Sequence, residues 1–254
     1  MSDAGRRAAP VERDHYSYAH YADHGVAAGF DALRFSGDVG RFLLEQQERL
    51  LIEALRPTPG MQIADVGTGT GRAAICLTRA GAAVVGLAAS IETLGVARLR
   101  AAEAGVTIAL GVADGHQLPL RDRAVDAAVC LRVLMHAIDW RQCVAELCRV
   151  SRQRVVVDFP AALSFAAIES RVRAARKKRG FPVEAYRVIA ERDVVAAFAT
   201  HGYRVVRVRR QFVLPIALHK SIGRFRVTRG VERLLAGVGL LRLLGSPVTM
   251  VAER

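Results

Sequence analysis

The sequence predicts an α/β fold, a doubly wound parallel sheet with helices on both faces. Three observations point there. From residue 61 onward, short runs rich in β-branched residues alternate with stretches of helical periodicity. Alternation of that kind builds βαβ units, whose right-handed crossovers set the strands parallel. The runs are short and apolar, as strands covered on both faces require. The first of them enters a glycine-dense loop, "MQIADVGTGTGRAAICL", with glycine at 67, 69 and 71, and that loop opens a helical pattern.

The elements follow in chain order. Residues 1–15 are polar and charged and carry a proline, which reads as disordered. "YSYAHYADHG" clusters Tyr16, Tyr18 and Tyr21. "DVGRFLLEQQERLLIEAL" has helical spacing, with Phe42, Leu43, Leu50, Leu51 and Leu55 on one stripe; Asp38 is the expected N-cap and Pro57 the terminator. Strands are expected near 62–66, 83–87, 106–110, 125–131 and 154–158, with helices near 71–80, 91–104 and 140–149. "AALSFAAIESRVRAARKKRG" is a helix with a basic end closed by Gly180, and "ERDVVAAFATHG" is another with Gly202 at its C′ position. "YRVVRVRRQFVLP" reads as a long strand. A basic, apolar stretch, "IALHKSIGRFRVTRGVERLLAGVGLLRLLG", then leads to a Ser-Pro turn and the strand "VTMVAE".

Composition bounds the function. A chain of 254 residues fits one large α/β domain, or one with a small appendage. No run of 18 apolar residues occurs, so no transmembrane helix is expected, and the start has no apolar core of a signal peptide. Cys76, Cys130, Cys143 and Cys148 form no Cys-x-x-Cys pair, which suits free thiols in a reducing cytosol. The net charge of +13 is uneven: residues 1–170 carry a net of −1 and residues 171–254 a net of +14. That asymmetry suits an anionic partner, and it equally suits arginine used on solvated faces.

Alternate glycines between a strand and a helix let a ligand approach main chain and the helix N-terminus. A phosphate-cradling loop of the form GxxxxGK[ST] is excluded, because no lysine follows. Gly69, Gly71 and Ala74 formally match the GxGxxA fingerprint of dinucleotide sites, a weak signal in a Gly- and Ala-rich chain.

"IADVGTGTGR" resembles the first motif of class I S-adenosylmethionine-dependent methyltransferases, with Asp65, Gly67, Gly69 and Gly71 in register. "GVADGHQLPLRDRAVDAAVCLRVLMHAIDWRQCVAELCRV" resembles the same family's stretch over strands three to five, aligning Asp114, Leu118, Pro119, Asp126, Leu134, His136, Glu146 and Arg149. The resemblance covers roughly residues 60–160. It implies a Rossmann-like sheet of seven strands, mostly parallel with a final antiparallel strand. It divides the chain into a disordered start and cap helices over 1–56 and a methyltransferase domain over 57–254, with substrate-side insertions near 161–190 and 215–246.

The resemblance also implies S-adenosyl-L-methionine as cofactor. Asp65, Gly67, Thr68, Gly69 and Gly71 would hold its amino-acid and ribose portion; Ala89, Asp114 and Gly115 would flank the adenine; Leu131, followed by Arg132, would lie under the methionine and its methyl. The family usually ends strand two with an acid on the ribose hydroxyls, and here that position is Ala88. Ser90 and Glu92 lie close enough in sequence to serve instead. His136 is the expected general base, with His20 and Tyr21 as a second group on a closing N-terminal segment.

The expected acceptor is small and lipophilic or anionic. The basic, apolar stretch with Lys220, Arg224, Arg226, Arg229, Arg233 and Arg242 suits a lid or peripheral contact with an anionic membrane. Nucleic acid is disfavoured, because aromatic residues are few and not interleaved with the basic clusters. Two other readings stay open: an NAD(P)-binding reductase, although Tyr186 and Tyr203 lack a lysine four residues on, and a noncatalytic binding protein with a decayed pocket and a basic lipid- or nucleic-acid-binding face.

Overall fold

The computed structural model describes residues 37–181, 183, 185–215, 218 and 225–254. In chain order the elements are α1 Gly37–Leu55, β1 Gln62–Val66, α2 Arg72–Arg79, β2 Ala83–Ala88, α3 Ile91–Glu103, β3 Ala109–Val112 and β4 Val125–Cys130. Then follow α4 Trp140–Val150, β5 Ser151–Phe159, α5 Phe165–Lys178, α6 Glu191–Ala199, β6 Arg204–Phe212, α7 Phe225–Gly237, α8 Leu240–Leu244 and β7 Ser246–Glu253. The strands form one seven-stranded sheet in the order β3-β2-β1-β4-β5-β7-β6. The first five are parallel, and β7 runs antiparallel to both of its neighbours. This is the mostly parallel sheet with a reversed last strand that the sequence led one to expect.

Alternation along the strands divides the core into two layers. Ile63, Ala127, Val129, Val156 and Val251 pack with Leu51, Leu55, Ala74 and Leu77 of α1 and α2. Ala64, Val66, Ala128, Cys130, Val155 and Val157 point the other way, onto Trp140, Val144 and Leu147 of α4 and Val194 and Phe198 of α6. Strand order turns back between β1 and β4, so a crevice opens beyond their carboxyl ends.

Helix α1 is tied to the sheet at its last turn. Arg154 of β5 donates to the carbonyls of Ala54 and Leu55 at 3.1 and 2.9 Å and pairs with Glu253 of β7. These bonds satisfy carbonyls that a helix end leaves without partners. They fix α1 so that its preceding turns reach over the crevice.

Several boundaries differ from expectation, among them that of β5, which begins at Ser151, three residues early. Asp38 lies inside the first turn of α1 and pairs with Arg41 instead of capping it. Strand β3 begins at Ala109, three residues late. The N–H groups of Gly105 and Val106 turn back to the carbonyls of Ala102 and Ala101 at 3.0 Å each, closing α3 in a Schellman pattern that keeps residue 106 out of the sheet. Ser246 and Pro247 begin β7 instead of forming a turn before it.

Candidate active site

A cavity of about 240 Å³ opens at the carboxyl ends of β1, β2 and β4. Its wall includes Leu44, Gln47, Glu48 and Leu51 of α1, the loop after β1, Ala88 to Ser90 after β2, Ala113 to His116 after β3, and Leu131 to Val133 after β4.

The loop after β1 is stitched to β2: the N–H groups of Gly67 and Thr68 both donate to the Leu87 carbonyl, at 2.7 and 2.9 Å. Gly67 sits at φ 76°, and a Cβ there would come within 2.1 Å of Val133 Cγ2. Glycine is needed on both counts. Gly69 has no such neighbour, its nearest being 3.9 Å away, and its main chain faces open space within the cavity. Gly71 does not line the cavity. A Cβ on it would meet Ala97 of α3 at 3.0 Å, so its place is the seam between α2 and α3. Gly86, which the motif does not mark, lets Thr68 cross β2: a Cβ would approach Thr68 Oγ1 to 3.0 Å. Its only signal in the sequence is a glycine inside a strand.

Asp65, 2 % exposed, ends β1 against this loop. Its carboxylate accepts from Thr68 Oγ1 at 2.7 Å and from the Ala74 backbone N–H at the start of α2. Burial pushes its pKa up to about 6, against the opposing pull of those bonds and of Arg72. Glu48 of α1 lines the cavity too, and its pKa is likewise raised by burial, with Arg72 and Arg79 pulling it back. Glu48 carries no motif signal, because α1 reaches the cleft only through tertiary packing.

At the far end Asp114 and His116 form a network. Asp114 Oδ1 accepts from the His116 N–H at 2.9 Å and lies 2.6 Å from His116 Nδ1. His116 Nε2 accepts from the Asp139 N–H at 3.1 Å. An acceptor at Nε2 requires the proton at Nδ1, so the imidazole is a neutral donor to Asp114. The side chain of His116, buried and bridging two loops, is the functional-site partner that sequence reasoning passed over.

Ala88 and Ala89 bound the cavity where an acid would meet ribose hydroxyls. Ser90 also lines it, but its hydroxyl accepts the Thr93 N–H at 3.1 Å as the N-cap of α3 and donates to Glu92 at 2.8 Å. Glu92 is not among the lining residues. This edge of the cavity thus has no carboxylate in its wall.

The floor beyond β4 holds Leu131, Arg132, Val133 and His136. The N–H groups of His136 and Ala137 turn back onto the Val133 carbonyl at 2.8 and 3.1 Å. Arg132 is a non-glycine residue at φ 66°, a left-handed conformation costing roughly 1–2 kcal/mol. Its N–H is held by the buried carboxylate of Asp158 on β5. His20, Tyr21, Lys220 and Arg224 lie outside the described residues.

The second motif divides into two groups. Asp114 and His136 reach the cleft, whereas Leu118, Glu146 and Arg149 build a clamp behind it. Glu146 accepts the Leu118 N–H at 2.7 Å, and Arg149 binds Glu146, Asp122 and the carbonyls of Leu118 and Leu120. Those bonds hold the Arg149 guanidinium above its already high pKa. Asp126 lies at the opposite edge, accepting the Gln62 N–H and pairing with Arg152.

Residues 64–157 match the profile of the family described as methyltransferase domain. An O-methyltransferase of Pyrenophora dematioidea is 35% identical over 112 residues, which is 41% of this chain and 42% of that protein. The chain spans about half the length of the curated relatives it matches. Among solved structures, the magnesium protoporphyrin IX methyltransferase of Synechocystis PCC 6803 with bound S-adenosylhomocysteine (SAH) superposes with a TM-score of 0.64 at 18% identity. That superposition covers 92% of this chain and 97% of the other. The cyclase SpnF superposes with a TM-score of 0.66 at 16% identity, covering 94% and 95%. The fold is therefore that of class I methyltransferases, and one protein bearing it is described as a cyclase.

Proposed function

We propose that this chain, whose residues 64–157 match the methyltransferase-domain profile, transfers a methyl group from S-adenosylmethionine to a small-molecule acceptor. The observation that carries the reading is the cavity itself. It is bounded by bare main chain at Gly67–Gly69, with a buried carboxylate at one end and the Asp114–His116 pair at the other. Phosphate-free, cationic at one end and aromatic at the other, the cofactor fits that donor set. Bound there, it would supply an electrophilic methyl carbon on a sulfonium, whose sulfur would keep the C–S electron pair as the leaving group.

The chain's own residues bind, orient and deprotonate. Asp65 offers its carboxylate to the ammonium end, and Asp114, Ala89 and Gly115 enclose the adenine. Leu131 and Val133 exclude water from the floor. Proximity and desolvation account for most of the acceleration in such a transfer. His136, at the same floor, takes the acceptor's proton on its imidazole. With no acid at Ala88 and the Ser90 hydroxyl committed to α3, cofactor affinity rests on the two ends of the cavity.

Calorimetry with S-adenosylmethionine, SAH and NAD(P)H tests the reading. SAH is expected to bind, and NAD(P)H is not. The variant His136→Gln keeps its SAH affinity, while its rate of methyl transfer falls by roughly 10²–10⁴. Binding of nicotinamide cofactors alone would overturn the reading in favour of a reductase, and binding of neither would favour a noncatalytic module.

A finer reading, contact with an anionic bilayer, rests on α5. Ile168 and Val172, 57% and 53% exposed, stand one turn apart on its outer side, beside exposed Arg171, Arg176, Lys177 and Lys178. Apolar anchors among cations suit an interfacial helix. Among the described residues no helix is long and apolar enough to cross a membrane. Flotation with phosphatidylserine vesicles is expected to retain the protein at low salt and release it at high salt. Retention unchanged in Ile168→Ser/Val172→Ser would exclude α5 as the contact.

A further inference from the structure

We infer that Arg132 binds an anionic group of the acceptor, so that the substrate is a hydroxy- or amino-bearing carboxylate or phosphate. The class of reaction rests on the methyl-transfer reading; the anion contact itself does not.

Four observations converge on this residue. Arg132 lines the cavity floor just beyond the end of β4, together with Leu131, Val133 and His136. Its backbone is held in a left-handed conformation that glycine would adopt without cost, and Asp158 secures that conformation through the Arg132 N–H. A strained non-glycine residue in a cleft points to a side chain with a task there. Among the described residues its Nε is buried and has no hydrogen-bond partner. The guanidinium also forms no ion pair among them, whereas Arg173 bonds Glu169 at 2.9 Å and Arg187 bonds the Ala137 carbonyl at 3.2 Å.

The acids that line the cavity are answered elsewhere. Glu48 faces Arg72 and Arg79, Asp65 faces Thr68, the Ala74 N–H and Arg72, and Asp114 faces His116. A planar guanidinium whose Nε has no partner among the described residues is suited to a carboxylate or phosphate, which a guanidinium grips with two parallel bonds. His136 lies four residues on, across the turn closed by the Val133 carbonyl, and lines the same floor. An acceptor anchored by its acid at Arg132 therefore presents its neighbouring hydroxyl or amine to the imidazole.

The test uses 4-hydroxybenzoate, its neutral methyl ester and inorganic phosphate, titrated into the protein with and without SAH. The acid is expected to bind about tenfold or more tightly than the ester. Inorganic phosphate competing with the acid assigns the subsite to phosphate as well. Arg132→Gln removes the preference and Arg132→Lys restores part of it. Arg192→Gln, which removes the same charge from the exposed side of α6, leaves it intact and so excludes nonspecific attraction to a basic protein. SAH affinity unchanged in Arg132→Gln shows that the cleft has kept its shape.

Equal affinity for acid and ester, no binding of either, or a preference that survives in Arg132→Gln overturns the inference. If SAH binds without any Arg132-dependent preference, the anion subsite falls and methyl transfer stands. If the preference depends on Arg132 but SAH does not bind, methyl transfer falls and the subsite stands.

Discussion

Replacing Asp65 by asparagine is expected to flatten two pH profiles at once. Burial raises the Asp65 pKa from 3.8 to about 6 in the folded protein. Between those values the folded state keeps a proton that the unfolded chain has released. Stability therefore falls as pH rises from about 4 to 6 and levels off above, a loss of about 3 kcal/mol for one fully buried group. The carboxamide of the Asp65→Asn variant does not titrate, so urea denaturation across that range should lose this slope.

Ligand binding should run the opposite way. An ionised carboxylate attracts an ammonium group and a protonated one does not, so wild-type affinity for SAH rises with pH through about 6. In Asp65→Asn it stays flat and is weaker at pH 7 by about tenfold or more, since hydrogen bonds to charged groups contribute roughly 1.5–3 kcal/mol. The amide also turns a donor toward a carboxylate site that accepts from Thr68 Oγ1 and the Ala74 N–H, so the loop itself loses a bond. A variant that kept the wild-type stability slope would show that another group carries it.

Gly67→Ala is expected to be the most damaging change of a single methyl group in the loop. Its Cβ would lie 2.1 Å from Val133 Cγ2, and its φ of 76° belongs to the left-handed region. The conformational part costs roughly 1–2 kcal/mol and the overpacking roughly 1–3 kcal/mol, about 3 kcal/mol together. Both N–H bonds to the Leu87 carbonyl are strained by the same shift. Gly67→Ala/Val133→Ala relieves the contact and should recover about half of the lost stability.

Gly69→Ala separates packing from ligand approach. It has a positive φ of 53° but nothing nearer than 3.9 Å, so only the conformational cost applies. Its methyl group projects toward open space, where it should weaken SAH binding more than it weakens the fold. Chemical denaturation and calorimetry on the three variants check both orderings; equal stability losses in Gly67→Ala and Gly69→Ala would refute the contact with Val133.

Near neighbours in the chain decide much of what the sequence discloses. Period-two apolar runs, helical stripes and glycine C-caps are local effects, so β1, β2, β4 and β5 and the helices between them were legible to within a few residues. The first three strand–helix alternations also imply the parallel sheet. Where a local bond competes with a strand, as at Gly105 and Val106, pattern alone places the boundary wrongly. The two motifs located the cleft, because the loops that carry them follow β1, β3 and β4 directly.

Only the tertiary structure sorted the roles within those motifs. Gly69 faces the cavity whereas Gly71 packs on α3; Asp114 lines the cavity whereas Glu146 and Arg149 clamp a loop behind it. It alone brought Glu48 of α1 to the cleft, through an anchor in which Arg154 reaches back about 100 residues to Ala54. It alone joined His116 to Asp139 and Asp158 to Arg132. Composition and periodicity record what a residue prefers. Which groups a buried side chain meets depends on contacts between strands and helices far apart in the chain, and those exist only once the sheet has formed.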